Sequence, residues 1–312
     1  MTDSYKSDQL VASYALCKQI NRAHGKTYFW ATATLAPESR KHVHAIYAFC
    51  RHADDIIDCL PQNETERRKQ ELQAFADKFF ADLKAGTSSD ELLAAVVNTT
   101  LELQIDPGCF ERFIRAMSLD LTTSSYKTYE DLLVYMDGSA AVIGEMMLPV
   151  LAPDTSPASG LTPNPKYNAT MFEAARNLGI AFQLTNFIRD VNEDLNRGRV
   201  YIPRSTLQQF GADPRRRTVD APWRAAMKFE ISRARNIYAG TDMGIAMLPK
   251  QTRTCVQVAR DLYSAILDQV EAHDYDVFSH RARVSTWKKI RAAALAWQSP
   301  SNPLGRRSFV RR

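Results

Sequence analysis

The sequence predicts an all-α protein, built as a single bundle-like domain around a central cavity. Long stretches repeat their apolar residues every three or four positions, and no segment rich in strand-forming residues competes with them. Only 12 of the 312 residues are glycine, which disfavours β-hairpins and dinucleotide-binding turns. We expect residues 1–297 to form this domain and residues 298–312 to be a basic, disordered tail.

The pattern predicts nine helices in chain order. They cover residues 9–24, 37–59, 64–84, 90–104, 107–126, 130–150, 172–195, 221–248 and 252–272. The helices at 37–59 and 107–126 each begin with a proline, which suits the first turn of a helix. The five prolines between 149 and 165 indicate either a domain boundary or a surface loop. We interpret them as a loop, because the two acidic helices that must meet lie on either side of it.

The helix at 172–195 carries a stripe of oxygen-bearing side chains. Asn186, Asp190 and Asp194 recur every four residues, so a helix places them on one face, opposite apolar residues suited to a core. Like charges at this spacing repel by about 0.2–0.5 kcal/mol. A hard divalent cation such as Mg²⁺ would turn that repulsion into attraction, because it prefers oxygen ligands.

A matching stripe lies far upstream, in the helix at 37–59. Asp54 and Asp58 are again four residues apart, and Arg51 precedes Asp54 by one turn. Two such faces opposed across a cavity would form a cage of carboxylates. Because Mg²⁺ in proteins usually shares one or two carboxylates with substrate phosphates, the cage predicts a polyphosphorylated ligand rather than a structural metal.

Three further segments each allow two interpretations. The stretch from His24 to Thr27 either holds phosphate or forms a capped turn over core aromatics. Arg199, in the basic loop 196–203, either folds over a bound anion or stays solvated. The small residues at 138–147 either let helices pack closely or line a tunnel for a ligand.

Composition and charge limit the function classes. A net charge of +5 permits an anionic ligand or a membrane surface but does not indicate nucleic acid. The five cysteines are scattered and form no CxxC pair, which disfavours zinc and disulfides and fits a reducing cytosol. The first residues lack the apolar core of a signal peptide, and the most apolar run, 138–152, is shorter than the ~18 residues of a spanning helix. We therefore expect a cytoplasmic protein.

The two acidic motifs together resemble those of the phytoene synthase and squalene synthase family. They read YAFCRxxDDxxD at 47–58 and QLTNxxRDVxED at 183–194. The loop NRGRVYIP at 196–203 is similar to that of the phytoene synthase branch in particular, and the similarity extends from about residue 10 to about residue 290. The resemblance implies a single all-α isoprenoid synthase domain.

It also implies roles for individual residues. Asp54, Asp58, Asn186, Asp190 and Asp194 would hold Mg²⁺, with Mn²⁺ as an alternative, and the four aspartates and Arg51 would form the catalytic set. The residues implied to bind substrate are His24, Thr27, Tyr28, Arg51, Gln183, Asn186, Arg189, Tyr263 and Arg281. One departure stands out: many members have tyrosine where Asp137 stands, and Tyr135 would replace it only if the helix were rotated.

The implied reaction joins two geranylgeranyl diphosphates head to head, through a cyclopropyl diphosphate, to give phytoene without NADPH. Farnesyl diphosphate as substrate, giving squalene or dehydrosqualene, is the alternative. A non-catalytic binding or assembly module is a third hypothesis, disfavoured because both acidic motifs are intact. Peripheral contact of the basic tail with the inner face of the membrane, and association with other isoprenoid-pathway enzymes, are further hypotheses about partners.

Overall fold

The computed structural model describes residues 2–58, 64–153 and 167–282, and these ranges are almost entirely helical. The helices are α1 (Thr2–His24), α2 (Lys26–Thr32), α3 (Pro37–Asp58), α4 (Thr65–Ala85), α5 (Leu93–Glu102), α6 (Pro107–Leu119), α7 (Tyr129–Met136), α8 (Val142–Leu151), α9 (Ala169–Arg189), α10 (Val191–Asn196), α11 (Arg204–Phe210), α12 (Ala221–Met247) and α13 (Lys250–Ala272). Within these ranges the only extended pairing is an isolated bridge between Ser125 and Val200. The all-α prediction is confirmed, whereas the basic tail lies outside the described residues.

Two predicted helices differ from the observed ones in informative ways. The helix predicted at 107–126 ends at Leu119, and turns connect it to Thr128, whose side chain caps α7 in a reciprocal pair with Asp131. Runs of threonine and serine favour such caps and turns because their hydroxyls compete for backbone groups. The helix predicted at 130–150 contains a π-helical turn, Asp137–Ala141, between α7 and α8.

The core surrounds two central helices. Helix α9 packs against α8, α12, α13 and the π-helical turn, while α3 packs against α1, α4, α5 and α8. Aromatic rings pack α3 against α4 and α6: the ring centroid of Phe49 lies 4.9 Å from those of Phe79 and Phe110. Large buried rings contribute strongly to stability, so the helices that carry the two acidic motifs are firmly held.

Small residues allow close contact between the π-helical turn, α8 and α9. A Cβ added at Gly144 would lie 2.1 Å from the carbonyl oxygen of Ala175, and one at Gly179 would lie 2.3 Å from that of Ala140. These glycines therefore permit a backbone approach that no larger residue allows. Ala140 and Gly144 also line the cavity, so this segment both packs closely and forms part of a cavity wall, whereas a ligand in that cavity stays a prediction.

An ionic cluster crosses the same junction. Arg112 of α6 and Arg176 of α9 both bond to Asp137 and to Glu145, which is only 8% exposed. Asp137 is thus engaged with arginines and is not part of the cavity wall, whereas Tyr135 lines it. Because a π-helical turn changes the helical phase, the side chains on either side of it face differently from those of a regular helix.

One continuous helical stretch is long and apolar enough to cross a membrane. It is Tyr129–Leu151, with 23 residues, in contrast to the shorter run expected from the sequence. Two-thirds of its most apolar window (67%) is buried inside the fold, as in the core helix of a globular protein.

Candidate active site

A cavity of about 1000 Å³ opens between α3 on one side and α9 and α10 on the other. Its volume is at the upper end of the range for ligand pockets. All but one of the residues expected in the site line it: His24, Tyr28, Arg51, Asp54, Asp58, Gln183, Asn186, Arg189, Asp190, Asp194, Tyr263 and Arg281. The side chain of the remaining residue, Thr27, lies outside the described part of the chain. The predicted meeting of the two acidic motifs at one cavity is confirmed.

On the α3 wall, Asp54 and Asp58 face the cavity one turn apart. Burial, and then the nearby charge of Asp58, raise the pKa of Asp54 to about 7. Arg51, also on the wall, is bonded to Asp55 through both Nε and Nη2. A buried carboxylate beside a second carboxylate has a high affinity for a positive charge, because both desolvation and repulsion oppose its ionisation.

On the opposite wall the acidic motif is not one continuous helix. The backbone leaves helical geometry at Asp190, with φ −101° and ψ 15°, between α9 and α10. The amide of Asp190 nevertheless donates to Asn186 O at 2.8 Å, and that of Asp194 to Asp190 O at 2.9 Å. The four-residue spacing therefore survives the break. Burial, and then the charge of Asp190, raise the pKa of Asp194 to about 8.

Arginines pair with the carboxylates at the cavity mouth. Arg189 and Arg281 donate from Nε to Asp190 Oδ1 at 2.7 and 2.9 Å. Burial alone would raise the pKa of Asp190, but these bonds outweigh it and the pKa is lowered. Across the mouth, Arg197 and Arg199 lie 3.2 Å from the two carboxylate oxygens of Asp58. The solvated interpretation of Arg199 is therefore wrong, since its side chain is 12% exposed and part of the cavity wall, whereas its contact with an anion stays a prediction.

The donor set fits a hard divalent cation. Asn186 Oδ1 is buried and has no hydrogen-bond partner in the described part of the chain, although it lies on the cavity wall. The four aspartates of the two acidic motifs line the same cavity, and oxygen ligands of this kind suit Mg²⁺. Among the described residues, no three His, Cys, Asp or Glu side chains are grouped closely enough to hold a metal ion, and two of the aspartates, Asp58 and Asp190, are bonded to arginines.

Away from the mouth the cavity wall is aromatic and aliphatic. Tyr263 lies between Tyr28 and Phe182, with ring centroids 4.8 and 4.5 Å away. Further inside, the wall consists of Leu148, Met171, Ile245, Leu248 and Val256. The arrangement combines a charged rim with a long apolar interior, as a ligand with an anionic head and a greasy tail requires.

Comparisons with known proteins agree with this geometry. A sequence model described as squalene/phytoene synthase matches residues 21–288. The chain belongs to that family. It is 36% identical over 289 residues to a 15-cis-phytoene synthase of Synechocystis, covering 91% of this chain and 84% of the relative. It is also 36% identical over 290 residues to a phytoene synthase of Arthrospira platensis, covering 91% and 92% of the two chains.

A solved structure supports the same fold for this family member. A dehydrosqualene synthase in complex with a ligand superimposes with a TM-score of 0.81, covering 93% of this chain and 97% of that one. At 22% identity, this likeness establishes the fold alone.

Several wall residues escaped the sequence analysis. Asp120, Tyr201, Phe182 and Asn21 all line the cavity. Asp120 and Tyr201 lie in irregular segments, where no periodic pattern exists to single them out. Asn21 is fully buried and neither atom of its amide group has a partner in the described residues. The sequence does not reveal that a buried side-chain amide lacks a hydrogen-bond partner; the structure does.

Proposed function

We propose that the protein joins two molecules of geranylgeranyl diphosphate head to head, through a cyclopropyl diphosphate, to give phytoene, in a reaction that requires Mg²⁺. The observation that carries the proposal is the pair of acidic motifs on opposite walls of one cavity whose interior is apolar. The 36% identity to proteins named phytoene synthase supports the choice of substrate and product.

The charged rim would bind the diphosphates. Asp54, Asp58, Asn186, Asp190 and Asp194 are the residues proposed to hold Mg²⁺, which supplies Lewis-acid stabilisation of the departing diphosphate when bound. Arg51, Arg281 and His24 line the same cavity and would bind diphosphate oxygens. Fixed positive charges aimed at a leaving group lower the barrier to ionisation, since they need no reorganisation during the reaction.

The apolar interior would protect the carbocation that ionisation produces. Aliphatic residues exclude water, which would otherwise capture the cation. The rings of Tyr28, Phe182 and Tyr263 have their centroids within 6 Å of one another and would offer electron-rich surfaces to a positive charge. The double bond of the second substrate then attacks the cation, and loss of a proton closes the cyclopropane ring. A second ionisation, a rearrangement and a second proton loss follow.

Product analysis tests the proposal. Purified protein is incubated with geranylgeranyl or farnesyl diphosphate and Mg²⁺, with and without NADPH, and products are identified by mass. We expect a forty-carbon hydrocarbon whose formation is independent of NADPH. A thirty-carbon product alone would establish squalene or dehydrosqualene synthesis instead, and no condensation with either substrate would favour a non-catalytic module.

We also propose a cytoplasmic location with peripheral contact at the inner face of the membrane. The greasy substrate and the four arginines at 306, 307, 311 and 312 support this contact. Co-sedimentation with anionic vesicles tests it by comparing the full chain with one ending at Gln298. Equal binding of the two would exclude a role for the tail.

A further inference from the structure

Asp120, at the end of α6, is a carboxylate on the cavity wall that the metal-binding set does not include. Two phenols bond to it: Tyr135 donates to Oδ2 at 2.7 Å and Tyr201 to Oδ1 at 3.1 Å. All three side chains line the cavity. A carboxylate that accepts a hydrogen bond from a phenol at each oxygen, and that faces the reaction space, is suited to accept a proton.

The carboxylate of Asp120 receives no hydrogen bond from a cation among the described residues. Arg199 is bonded to Asp120 only through the backbone: its Nη2 donates to the carbonyl oxygen of Asp120 at 3.2 Å. Its Nη1 donates to the carboxylate of Asp58. Burial is the main cause of a raised pKa at Asp120. Burial without a bonded cation keeps a carboxylate basic, which favours proton uptake from an acidic neighbour.

The surrounding structure fixes the two phenols. Tyr201 stacks on Phe187 with the rings 7° from parallel and 4.1 Å apart. Its segment is tied to the connection between α6 and α7, since Val200 N donates to Ser124 O and Arg204 N to Tyr126 O. Tyr135 lies two residues before the π-helical turn begins and is 2% exposed. These contacts hold both hydroxyls on Asp120 before any ligand enters.

We propose that Tyr135, with Asp120 behind it, accepts the final proton of the condensation. This inference rests on the proposed function. In the last step a C–H bond beside the cationic carbon breaks, and its electron pair becomes the π bond of the new central double bond. The proton passes to Tyr135 Oη, and the hydroxyl proton of Tyr135 moves along its hydrogen bond to Asp120 Oδ2. Tyr201 holds the second oxygen and orients the carboxylate.

The test uses Asp120→Asn and Tyr135→Phe with geranylgeranyl diphosphate and Mg²⁺. Asparagine keeps the size of the side chain but not its basicity, and phenylalanine removes only the hydroxyl. We expect phytoene formation to fall by about 10²–10⁴-fold, the usual contribution of a general base. We also expect the cyclopropyl diphosphate to form and accumulate, because the proposal assigns to this acceptor only the second of the two proton losses, and not the one that closes the cyclopropane ring. Mass spectrometry quantifies both compounds.

Tyr126→Phe is a matched control. Its ring lies 5.3 Å from that of Tyr135, but its hydroxyl has no partner among the described residues and is not part of the cavity wall. This variant should form phytoene at the wild-type rate. The inference is overturned if Asp120→Asn and Tyr135→Phe stay within tenfold of wild type, or if cyclopropyl diphosphate and phytoene fall together. If the wild-type protein makes no forty-carbon product, the proposed function fails instead.

Discussion

Arg199 donates from Nη1 to Asp58 Oδ1 at 3.2 Å, joining residues 141 positions apart in the chain. Arg281 is bonded to Asp190 in the same way on the opposite wall. Two of the carboxylates proposed to bind metal, Asp58 and Asp190, are therefore already paired with arginines. A metal ion must displace these arginines, and a diphosphate offers them another anionic partner.

Metal binding should consequently depend on diphosphate. We expect Mg²⁺ or Mn²⁺ to bind the protein about 5–150-fold more tightly with saturating inorganic pyrophosphate than without it, the usual range of coupling between two sites. Isothermal titration calorimetry measures both affinities. Arg281→Gln should tighten metal binding to the protein alone, since one competing charge is gone. Equal affinities with and without pyrophosphate would contradict this linkage.

Asp54→Ala and Asp190→Ala should each reduce turnover by at least about 10²–10³-fold, because each removes a charge that balances the leaving group's metal cluster. The circular dichroism spectrum should stay close to that of the wild type. Asp242→Ala is the control, since Asp242 is exposed on α12 and pairs only with Arg260 among the described residues. Wild-type rates in both cavity variants would disprove the metal-site assignment.

Asn21→Leu should stabilise the protein in the absence of substrate. The amide of Asn21 is fully buried and unpaired in the described part of the chain, and such a group costs about 1–3 kcal/mol. Chemical denaturation followed by circular dichroism measures the gain. Asn98→Leu is the matched comparison. Asn98 accepts a hydrogen bond from Tyr14 at 2.8 Å, and the loss of that bond should destabilise the protein. A loss of stability in both variants would show that Asn21 is paired in solution.

His44 should make the stability fall in mild acid. Burial, and then the charge of Arg40, lower its pKa from 6.5 to about 4. Between pH 6.5 and about pH 4, His44 binds a proton in the unfolded chain but stays neutral in the folded protein. The free energy of unfolding therefore falls as the pH is lowered through this range. The loss should be on the order of 1–2 kcal/mol between pH 7 and pH 5.

Urea denaturation at the two pH values measures the effect of His44. His44→Phe should lose less stability on acidification than the wild type, since Phe can keep the stack on Phe29. His52→Gln, an exposed position on the same helix, is the control and should behave as the wild type does. An unchanged pH dependence in His44→Phe would refute the assignment.

Two glycine-to-alanine substitutions should change the stability of the protein in opposite directions. Gly144→Ala places a Cβ 2.1 Å from Ala175 O, so α8 and α9 must separate, at a cost of about 1–3 kcal/mol. Gly240→Ala, inside α12, meets no atom within 4 Å and should stabilise by about 0.5–1 kcal/mol through helix propensity. Thermal melting compares both with the wild type. A tolerated Gly144→Ala would show that this contact is looser than described.

The sequence predicts the helices correctly where neighbouring residues determine them. Helical periodicity depends on neighbouring residues, so α3, α9, α12 and α13 were predicted within a few residues. It failed where local signals compete. The early end of α6 and the π-helical turn at Asp137 depend on threonine hydroxyls and on distant arginines, Arg112 and Arg176. The pattern also did not predict the backbone break at Asp190, because the four-residue spacing of the motif is kept across it.

The sequence by itself determined an all-α fold and two oxygen-rich helix faces, because a four-residue repeat has a fixed geometric meaning in any helix. Only the tertiary structure decided which charges meet across the cavity mouth and which polar groups on its wall have no partner. It also brought Asp120 between Tyr135 and Tyr201, 15 and 81 residues away. Such contacts depend on how helices pack, and side chains far apart in sequence carry no periodic signal of one another.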